Sequence, residues 1–402
     1  MIKCCLNNDK MCFLIKFSIC STVGVIFLAI FTSILFPFTS KPFNAQEYIL
    51  PSPKPLTGIL SINNKLAVGK RILENEIIGP EALVVEGNTI YTTTFDGKVV
   101  KIVNEKIVDI ISFNDEKKCG TFETEKKCGR PLGIRRYNKD ILIVLDSYYG
   151  IYFVDFSKKI YKNGYELFLS SDKLTKEKPA MMLNDFDIIN NEDLYISDSS
   201  SKWDRRRFFH ILSEAQSNGR ILKVNLKTKN VSIFQENLFF PNGVQQLSKD
   251  SIIVAECGMA RIWKIYISGD KIGQREIFIE NLPGLPDNIR FSEYSKTFFV
   301  GLTGLRHADK FNMYDMMGKH ATFRNILAKT LPEKFFSKIP SFFVDKHSIL
   351  IEINLKGEIV STYQDPQSTV VEDVSHVADD ENYLYLGSYH SKFIVKVPKV
   401  NN

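Results

Sequence analysis

Five oxygen-bearing side chains stand at or just before the start of predicted strands, in short motifs that recur along the chain. They are Glu81 in GPE, Asn184 in LND, Asn242 in PNG, and Asp287 and Asn288 in PDN. Carboxylate and amide oxygens are hard ligands, so a set of them without His or Cys favours calcium over zinc or copper. Such a set would leave about one to three of the usual six to eight coordination positions open. An ion with an open position can polarise an ester carbonyl and stabilise the oxyanion that forms on hydrolysis.

The same residue types also have a simpler explanation. Asn, Asp and the Pro-Asn-Gly sequence form turns in any β protein, and a single residue of this kind is better explained as part of a turn. Recurrence at one position of several units favours a shared site, because a buried carboxylate needs a partner. From the residues alone, both interpretations stay open.

Short catalytic motifs are absent from the sequence, including G-x-S-x-G, a Walker loop, G-x-G-x-x-G and H-E-x-x-H. Asp146 and Glu256 end predicted second strands and are candidate general bases, although pairing with backbone N–H groups in a tight corner explains them better. Trp203 and the arginine run 205–207 would bind an anionic substrate at a channel mouth or form a solvated loop with one Arg–Trp contact.

A repeated unit must position these side chains. It consists of a short apolar strand, a small or polar corner and a second alternating strand, and it occurs six times, in 89–103, 140–156, 193–226, 251–267, 297–355 and 383–397. Spacings of about 35–60 residues are typical of propellers and solenoids. A candidate inner strand precedes each unit and an outer strand follows most, so the sequence predicts an all-β protein with a six-bladed β-propeller. The strand-like stretch 59–78 is expected to complete the last blade and close the ring.

Residues 305–345 break this pattern, because their apolar residues fall at i, i+3 and i+4. The spacing predicts a helical insert in blade five. Its Met and Phe residues are expected to pack on the propeller, and a lid over the channel or a membrane-facing surface would give the same pattern.

An uncharged stretch of 24 residues lies between Lys16 and Lys41. As a helix it would be about 36 Å long, enough for a hydrocarbon core of about 30 Å. A cleaved signal peptide is the alternative, but the stretch is long for one and no A-x-A-like site follows it. Three lysines precede the stretch and one follows closely, which predicts a single-pass type II protein of the endoplasmic reticulum or plasma membrane. The expected divisions are a cytoplasmic tail (1–16), a signal anchor (17–40), a linker (41–58) and the propeller (59–402).

Charge gives no reason to propose a nucleic-acid partner. Four lysines and one aspartate in the first 41 residues account for half of the net charge of +6, which leaves only +3 on the remaining 361 residues. Beyond the apolar stretch, Cys119 and Cys128 could close a short loop in an oxidising compartment and leave Cys257 as a buried thiol. Asn230 begins the sequon Asn-Val-Ser in a polar turn and is a candidate glycosylation site.

Longer motifs give the chain a family resemblance. GPEAL, CGRPLGIR, LNDFDI, LFFPNGVQ, NLPGLPDNIR and LYLGSYHS, in this order, resemble the strictosidine-synthase-like family over roughly 59–398. Within that family the chain is similar to a group of single-pass type II glycoproteins, which is related to paraoxonases and calcium-dependent gluconolactonases and has arylesterase activity ascribed to some members. The resemblance implies the six-bladed ring, a Cys119–Cys128 disulfide and, by analogy with paraoxonases, the five oxygen-bearing residues as calcium ligands.

Two departures limit what the resemblance implies. The paraoxonase histidine pair would fall near Leu132 and near Asp146, and the glutamate of the plant synthases would fall near Ser375 or His376. A paraoxonase-type His base and an alkaloid-forming condensation are therefore not expected. The sequence predicts a calcium-dependent hydrolase of small-molecule esters or lactones. The alternative is a non-catalytic, membrane-tethered binding module in which calcium only holds the blades together.

Overall fold

The computed structural model describes Gly24, Phe27, Leu28, Phe31 and residues 42–175, 179–339 and 346–399. The predicted cytoplasmic tail and nearly all of the predicted anchor lie outside these residues. The four described residues of the anchor are helical and exposed. In the described part of the chain, no helix has the length and apolar character needed to cross a membrane.

Six four-stranded antiparallel sheets make up the described propeller, which confirms the predicted fold. The strands, in order from the inner to the outer edge of each blade, are β2 (Leu83–Glu86), β3 (Thr89–Thr93), β4 (Lys98–Val103) and β5 (Lys106–Ser112) in blade one; β6 (Pro131–Arg136), β7 (Leu142–Asp146), β8 (Gly150–Val154) and β9 (Tyr165–Ser170) in blade two; β10 (Leu183–Ile189), β11 (Asp193–Asp198), β12 (Gly219–Asn225) and β13 (Val231–Leu238) in blade three; β14 (Pro241–Ser248), β15 (Ser251–Glu256), β16 (Arg261–Tyr266) and β17 (Arg275–Ile279) in blade four; β18 (Leu285–Phe291), β19 (Phe298–Thr303), β20 (Ser348–Ile353) and β21 (Ile359–Asp365) in blade five; and β22 (His376–Asp379), β23 (Tyr383–Gly387), β24 (Ile394–Pro398) and β1 (Lys70–Ile72) in blade six.

The amino-terminal strand closes the ring. β1 pairs antiparallel with β24, with Lys70 opposite Lys396 and Ile72 opposite Ile394. The first strand of the propeller is therefore the outer strand of the last blade, as the sequence predicts.

Middle strands of the blades are the most deeply buried. β7, β15 and β20 are buried at every position, because neighbouring blades cover both of their faces. The outer strand β5 instead alternates, with most of its side chains exposed or half-buried. Apolar side chains of adjacent blades pack together between the sheets, as Ile143 and Leu145 of blade two do with Phe186 of blade three.

Five α-helices occur in the described residues of the propeller, and they are α1 (Glu125–Cys128), α2 (Phe208–Glu214), α3 (Met313–Met317), α4 (Ala321–Thr330) and α5 (Glu333–Phe336). Four of them lie in connections between second and third strands, with α2 in blade three and α3–α5 in blade five. These connections lie at the end of the ring where the inner strands begin. We call this end the top face. The described part of the predicted insert, 305–339, is thus helical as expected.

Residues 42–57, predicted as a linker, instead pack across the top face, and we call them the strap. The backbone N–H of Gln46 donates to the Glu214 carbonyl (2.8 Å), and that of Tyr48 donates to the Gly318 carbonyl (3.2 Å). Phe43 and Tyr48 are buried in a cluster with side chains of α2, α4 and α5. The apolar residues Phe43 and Tyr48 thus hold the segment in place on the top face.

Candidate functional site

The top end of the central channel contains a cavity of about 90 Å³. Four of the five predicted ligands line it, namely Glu81, Asn184, Asn242 and Asp287. The pairing of β10, β14 and β18 with their second strands shifts in register next to these residues. A β-bulge re-aims the side chains next to it, so the irregular strand starts explain how residues of different blades point to one place.

Three buried oxygen atoms in this set have no hydrogen-bond partner among the described residues. They are Asn184 Oδ1, Asn242 Oδ1 and Asp287 Oδ1. Asn184 Nδ2 donates to Ser199 Oγ (3.1 Å), which orients the amide and leaves its oxygen unpaired. An unsatisfied buried acceptor costs about 1–3 kcal/mol, and three oxygens at one place fit a hard cation.

Glu81 has a partner that the sequence did not reveal. Arg130 is fully buried, and its Nη2 lies 2.6 Å from Glu81 Oε2. The guanidinium also donates to the carbonyls of Gly79 (3.3 Å) and Tyr389 (3.0 Å). Burial raises the pKa of Glu81, while Arg130 and Arg205 act in the opposite direction. Glu81 is therefore ion-paired with Arg130 through Oε2, and its other carboxylate oxygen is left for the cavity.

Two further carboxylates are affected by Glu81. Burial, followed by repulsion from Glu81 and Asp373, raises the pKa of Asp287 well above its usual value. Burial also raises the pKa of Asp373 to about 6, and His390 Nδ1 lies 3.8 Å from its Oδ2. Asp373 was missed from the sequence, although it stands just before the inner strand of blade six. A cation in the cavity would relieve the repulsion among these acids.

The fifth predicted ligand, Asn288, is buried but does not line the cavity. Its Oδ1 lies 3.4 Å from Nη2 of Arg290, which forms two 2.8 Å hydrogen bonds with Asp185. Among the described residues, no group of three or more His, Cys, Asp or Glu side chains is arranged to hold a metal ion. A metal in this channel would therefore depend on amide oxygens as well as carboxylates.

The two candidate bases have structural roles instead. Asp146 Oδ1 accepts hydrogen bonds from the backbone N–H groups of Tyr148 (2.8 Å) and Tyr149 (2.9 Å). Glu256 accepts from the Phe239 N–H (2.8 Å) and from Trp263 Nε1 (2.8 Å). Neither lines the channel cavity. Both carboxylates hold strand corners, which is the alternative role that the sequence suggested for them.

The arginine run is not a solvated loop. Arg205 lines the cavity and is held by Glu125 through an Nε–Oε1 hydrogen bond of 2.8 Å. Tyr148 donates to the same carboxylate (2.5 Å). Trp203 is buried, and its Nε1 donates to Glu214 Oε2 (2.6 Å). The pairing with Glu125 in α1 was invisible in the sequence because 80 residues separate the partners.

The structure contains the predicted disulfide, while glycosylation at Asn230 stays a prediction. Cys119 and Cys128 form a disulfide beside α1. Cys257 is a buried free thiol that lines the channel cavity, and burial raises its pKa. Asn230 is exposed in the turn before β13, so its side chain is accessible for attachment of a glycan.

A second, larger cavity of about 490 Å³ lies between α2 and the insert, and we call it the chamber. Its lining is mostly apolar and includes Tyr48 of the strap and Phe336 of α5. Five residues line both cavities, and they are Phe208, Leu212, Leu285, Thr303 and Tyr389. The chamber therefore adjoins the oxygen-lined end of the channel.

The six-bladed ring and two matching family models give the class of the protein as a strictosidine-synthase-like propeller. The family model described as Strictosidine synthase matches residues 184–270, and the model described as Strictosidine synthase-like, N-terminal, matches residues 58–102. The first match includes Asn184 and Asn242, and the second includes Glu81.

The chain belongs to the adipocyte plasma membrane-associated protein family. It is 36% identical to the Gallus gallus member over 358 residues, which cover 89% of this chain and 84% of that protein. It is also 36% identical to the Mus musculus member over 359 residues, with the same coverage. The Drosophila melanogaster member named Hemomucin is 29% identical over 389 residues, or 90% of this chain and 65% of that protein.

Solved structures with the same fold are distant in sequence. A gluconolactonase from Xanthomonas campestris aligns with a TM-score of 0.52 at 12% identity, over 89% of this chain and 99% of that one. The calcium-binding protein regucalcin from Agrobacterium tumefaciens aligns with a TM-score of 0.50 at 10% identity, over 87% of this chain and 95% of that one. At these identities the likeness establishes the propeller fold.

Proposed function

We propose that the protein is a calcium-dependent hydrolase of esters or lactones, anchored to a membrane by residues 17–40. The observation that carries this proposal is the set of three buried, unpartnered oxygens of Asn184, Asn242 and Asp287 at the channel end, beside an apolar chamber. These oxygens and the second oxygen of Glu81 would hold the ion. Bound there, calcium supplies a Lewis acid that polarises a carbonyl oxygen.

The chain's own residues have separate tasks in this proposal. Arg130 opposes the rise that burial causes in the pKa of Glu81. It also fixes the position of Glu81, because Arg130 is buried and bonded to two backbone carbonyls as well. The chamber binds the apolar part of the substrate and keeps water from it. Asp373 does not line the cavity itself, but its charge raises the pKa of Asp287, which does, so it lies near the site. A pKa of about 6 leaves Asp373 ionised at neutral pH, and it is our candidate for the base that takes a proton from the attacking water.

The membrane part of the proposal rests on the uncharged stretch 17–40 and on relatives that are named as membrane-associated. The predicted type II orientation places the propeller in the lumen of the endoplasmic reticulum or outside the cell. The disulfide Cys119–Cys128 and the exposed sequon at Asn230 support this side of the membrane.

Hydrolysis by the full chain in lipid nanodiscs tests the proposal. Phenyl esters and lactones with short and long acyl chains would be compared in calcium and in excess chelator. We expect calcium-dependent turnover of the esters, the lactones or both, with higher kcat/KM for the longer acyl chains. The Asp373→Asn variant should lose kcat, while Asp270→Asn, a change at an exposed turn of blade four, should match the parent.

The second candidate function is a membrane-tethered binding module with structural calcium. The ion pair of Glu81 with Arg130 favours it, because the pair reduces the negative charge available to an ion. Calcium would then raise the melting temperature of the protein without any turnover in the ester and lactone panel. The same nanodisc samples therefore separate the two functions.

A further inference from the structure

We propose that the top face of the propeller lies against the bilayer surface, with the insert and strap in contact with lipid. This inference rests on the proposed membrane anchor and adds the orientation of the propeller to it. Five large apolar side chains form what we call the docking face, and they are Ile49, Phe311, Met316, Phe323 and Phe335.

These side chains are exposed to an extent that needs an explanation. Their exposed fractions run from 42% for Met316 to 71% for Phe311, although three of the five are phenylalanines. They come from the strap, from α3, α4 and α5, and from the loop before α3. Apolar residues grouped on one face of a soluble domain mark a site for a protein or a membrane.

The short distance to the anchor favours the membrane. The predicted span ends at residue 40, while Phe43 is already buried on the top face, with its ring 6.1 Å from that of Phe336 and 6.3 Å from that of Trp203. Three residue steps extend at most about 11 Å. The top face therefore lies within about 11 Å of the end of the predicted span, which is at the headgroup region or immediately outside it.

Charge around the docking face also suits lipid headgroups. Residues 305–339 contain five lysines against three Asp and Glu side chains, while Arg306 and Arg324 of the same stretch are buried and bonded inside the protein. When the Phe and Met side chains of the docking face insert into lipid, the long basic side chains beside them can reach the lipid phosphates while their aliphatic stems stay in the apolar layer. A surface of this composition is typical of interfacial membrane contact.

The position of the sequon at the opposite end of the ring is consistent with this orientation. Asn230 lies in the connection between the third and fourth strands of blade three, at the end away from the top face. A glycan at Asn230 would point away from the bilayer. Exposed aliphatic residues also occur in connections at that end, but Ile160, Ile272 and Leu355 each come from a different blade.

The docking face is also the rim of the chamber. Phe311, Met316 and Phe323 are exposed and at the same time line the chamber. Contact of this rim with lipid would open the chamber to the acyl region, so that apolar ligands could enter without crossing water. The orientation thus predicts ligands that partition into membranes.

Quenching by brominated lipids tests the orientation in the full chain. Phe311→Trp and Phe335→Trp would be made singly and reconstituted in phosphatidylcholine nanodiscs with and without bromine on the acyl chains. The native Trp203 and Trp263 give a constant background that the parent protein measures. We expect the emission of each added tryptophan to be at least halved by bromine, and Ile272→Trp at the opposite end to be unaffected.

Each other outcome overturns the proposal in a distinguishable way. Equal emission of Phe311→Trp with and without bromine, in protein that co-elutes with nanodiscs, would leave the anchor intact and exclude the docked orientation. A blue-shifted emission that depends on protein concentration but not on bromine would show that a second copy covers the face. Failure of the parent protein to co-elute with nanodiscs would exclude the membrane anchor predicted for residues 17–40.

Discussion

At the scale of single residues, the candidate site depends on oxygens that the fold buries without partners. Asn184 and Asn242 come from different blades, yet their amide oxygens share one cavity with Asp287. The amides contribute no charge, so each should add a modest part of the calcium affinity. The carboxylate of Asp287 should add more.

Replacing one amide should weaken calcium binding without unfolding the protein. We expect Asn184→Ala to raise the calcium Kd about tenfold, the equivalent of about 1.4 kcal/mol, because one oxygen ligand is lost. Competition with a fluorescent chelator measures the Kd. Asn382→Ala, at an exposed turn of blade six, is the matched control and should leave the Kd unchanged. An unchanged Kd for Asn184→Ala would exclude this amide from the ligand set.

The ion pair of Arg130 with Glu81 makes a second residue-scale prediction. Arg130→Met leaves a buried carboxylate without its cation, and such a loss costs about 3–5 kcal/mol of the free energy of unfolding. The double variant Arg130→Met/Glu81→Gln should recover most of that loss, because no buried charge remains. Urea unfolding measures both values. A double variant as unstable as the single one would contradict the pairing.

At the scale of elements, the strap, α2 and the insert form one packed layer over the channel. His210 of α2 lies within this layer, with its ring 4.7 Å from Phe336 and 5.0 Å from Trp203. Burial, with a smaller effect of Arg207, lowers the pKa of His210 to about 3. The layer thus holds a neutral imidazole that becomes charged easily once it is exposed.

Acid should therefore loosen this layer. Above pH 6.5 the imidazole is neutral whether folded or unfolded, whereas between about pH 6.5 and 3 only the unfolded form binds a proton. Stability is lost as pH falls through this window. Hydrogen exchange of residues 42–57 at pH 7.5 and 5 should show faster opening at pH 5, and His210→Phe should reduce the difference. Equal protection factors at the two pH values in the parent protein, after correction for the intrinsic exchange rates, would contradict this assignment.

At the scale of the whole molecule, one short strand holds the ring closed. Ile72 is buried in β1 and pairs with Ile394 of the last strand. Ile72→Ala should cost about 2–5 kcal/mol through the lost packing. Ile62→Ala, at an exposed position of the same amino-terminal segment, should cost little. Thermal unfolding compares the two, and an equal effect would show that closure contributes nothing to stability.

The six-bladed fold could be predicted from the sequence more completely than the residues of the candidate site. Repeated strand units and the strand-like stretch before Glu81 were enough to predict six blades and their closure, because each blade is local in sequence. The partners Arg130, Glu125 and Asp373 were missed, since they meet the channel residues only after separate blades come together. Asp146 and Glu256 looked like possible bases because a carboxylate at a strand end has the same sequence pattern in either role.

The most direct test of the central claim is the turnover of an ester or lactone as a function of free calcium, for the parent chain and for Asp287→Asn. We predict that turnover rises with the calcium occupancy of the parent. It should be lost in chelator and in Asp287→Asn, while circular dichroism shows that the variant stays folded. Turnover that persists in chelator, or that Asp287→Asn retains in full, would contradict a calcium-dependent hydrolase at this channel.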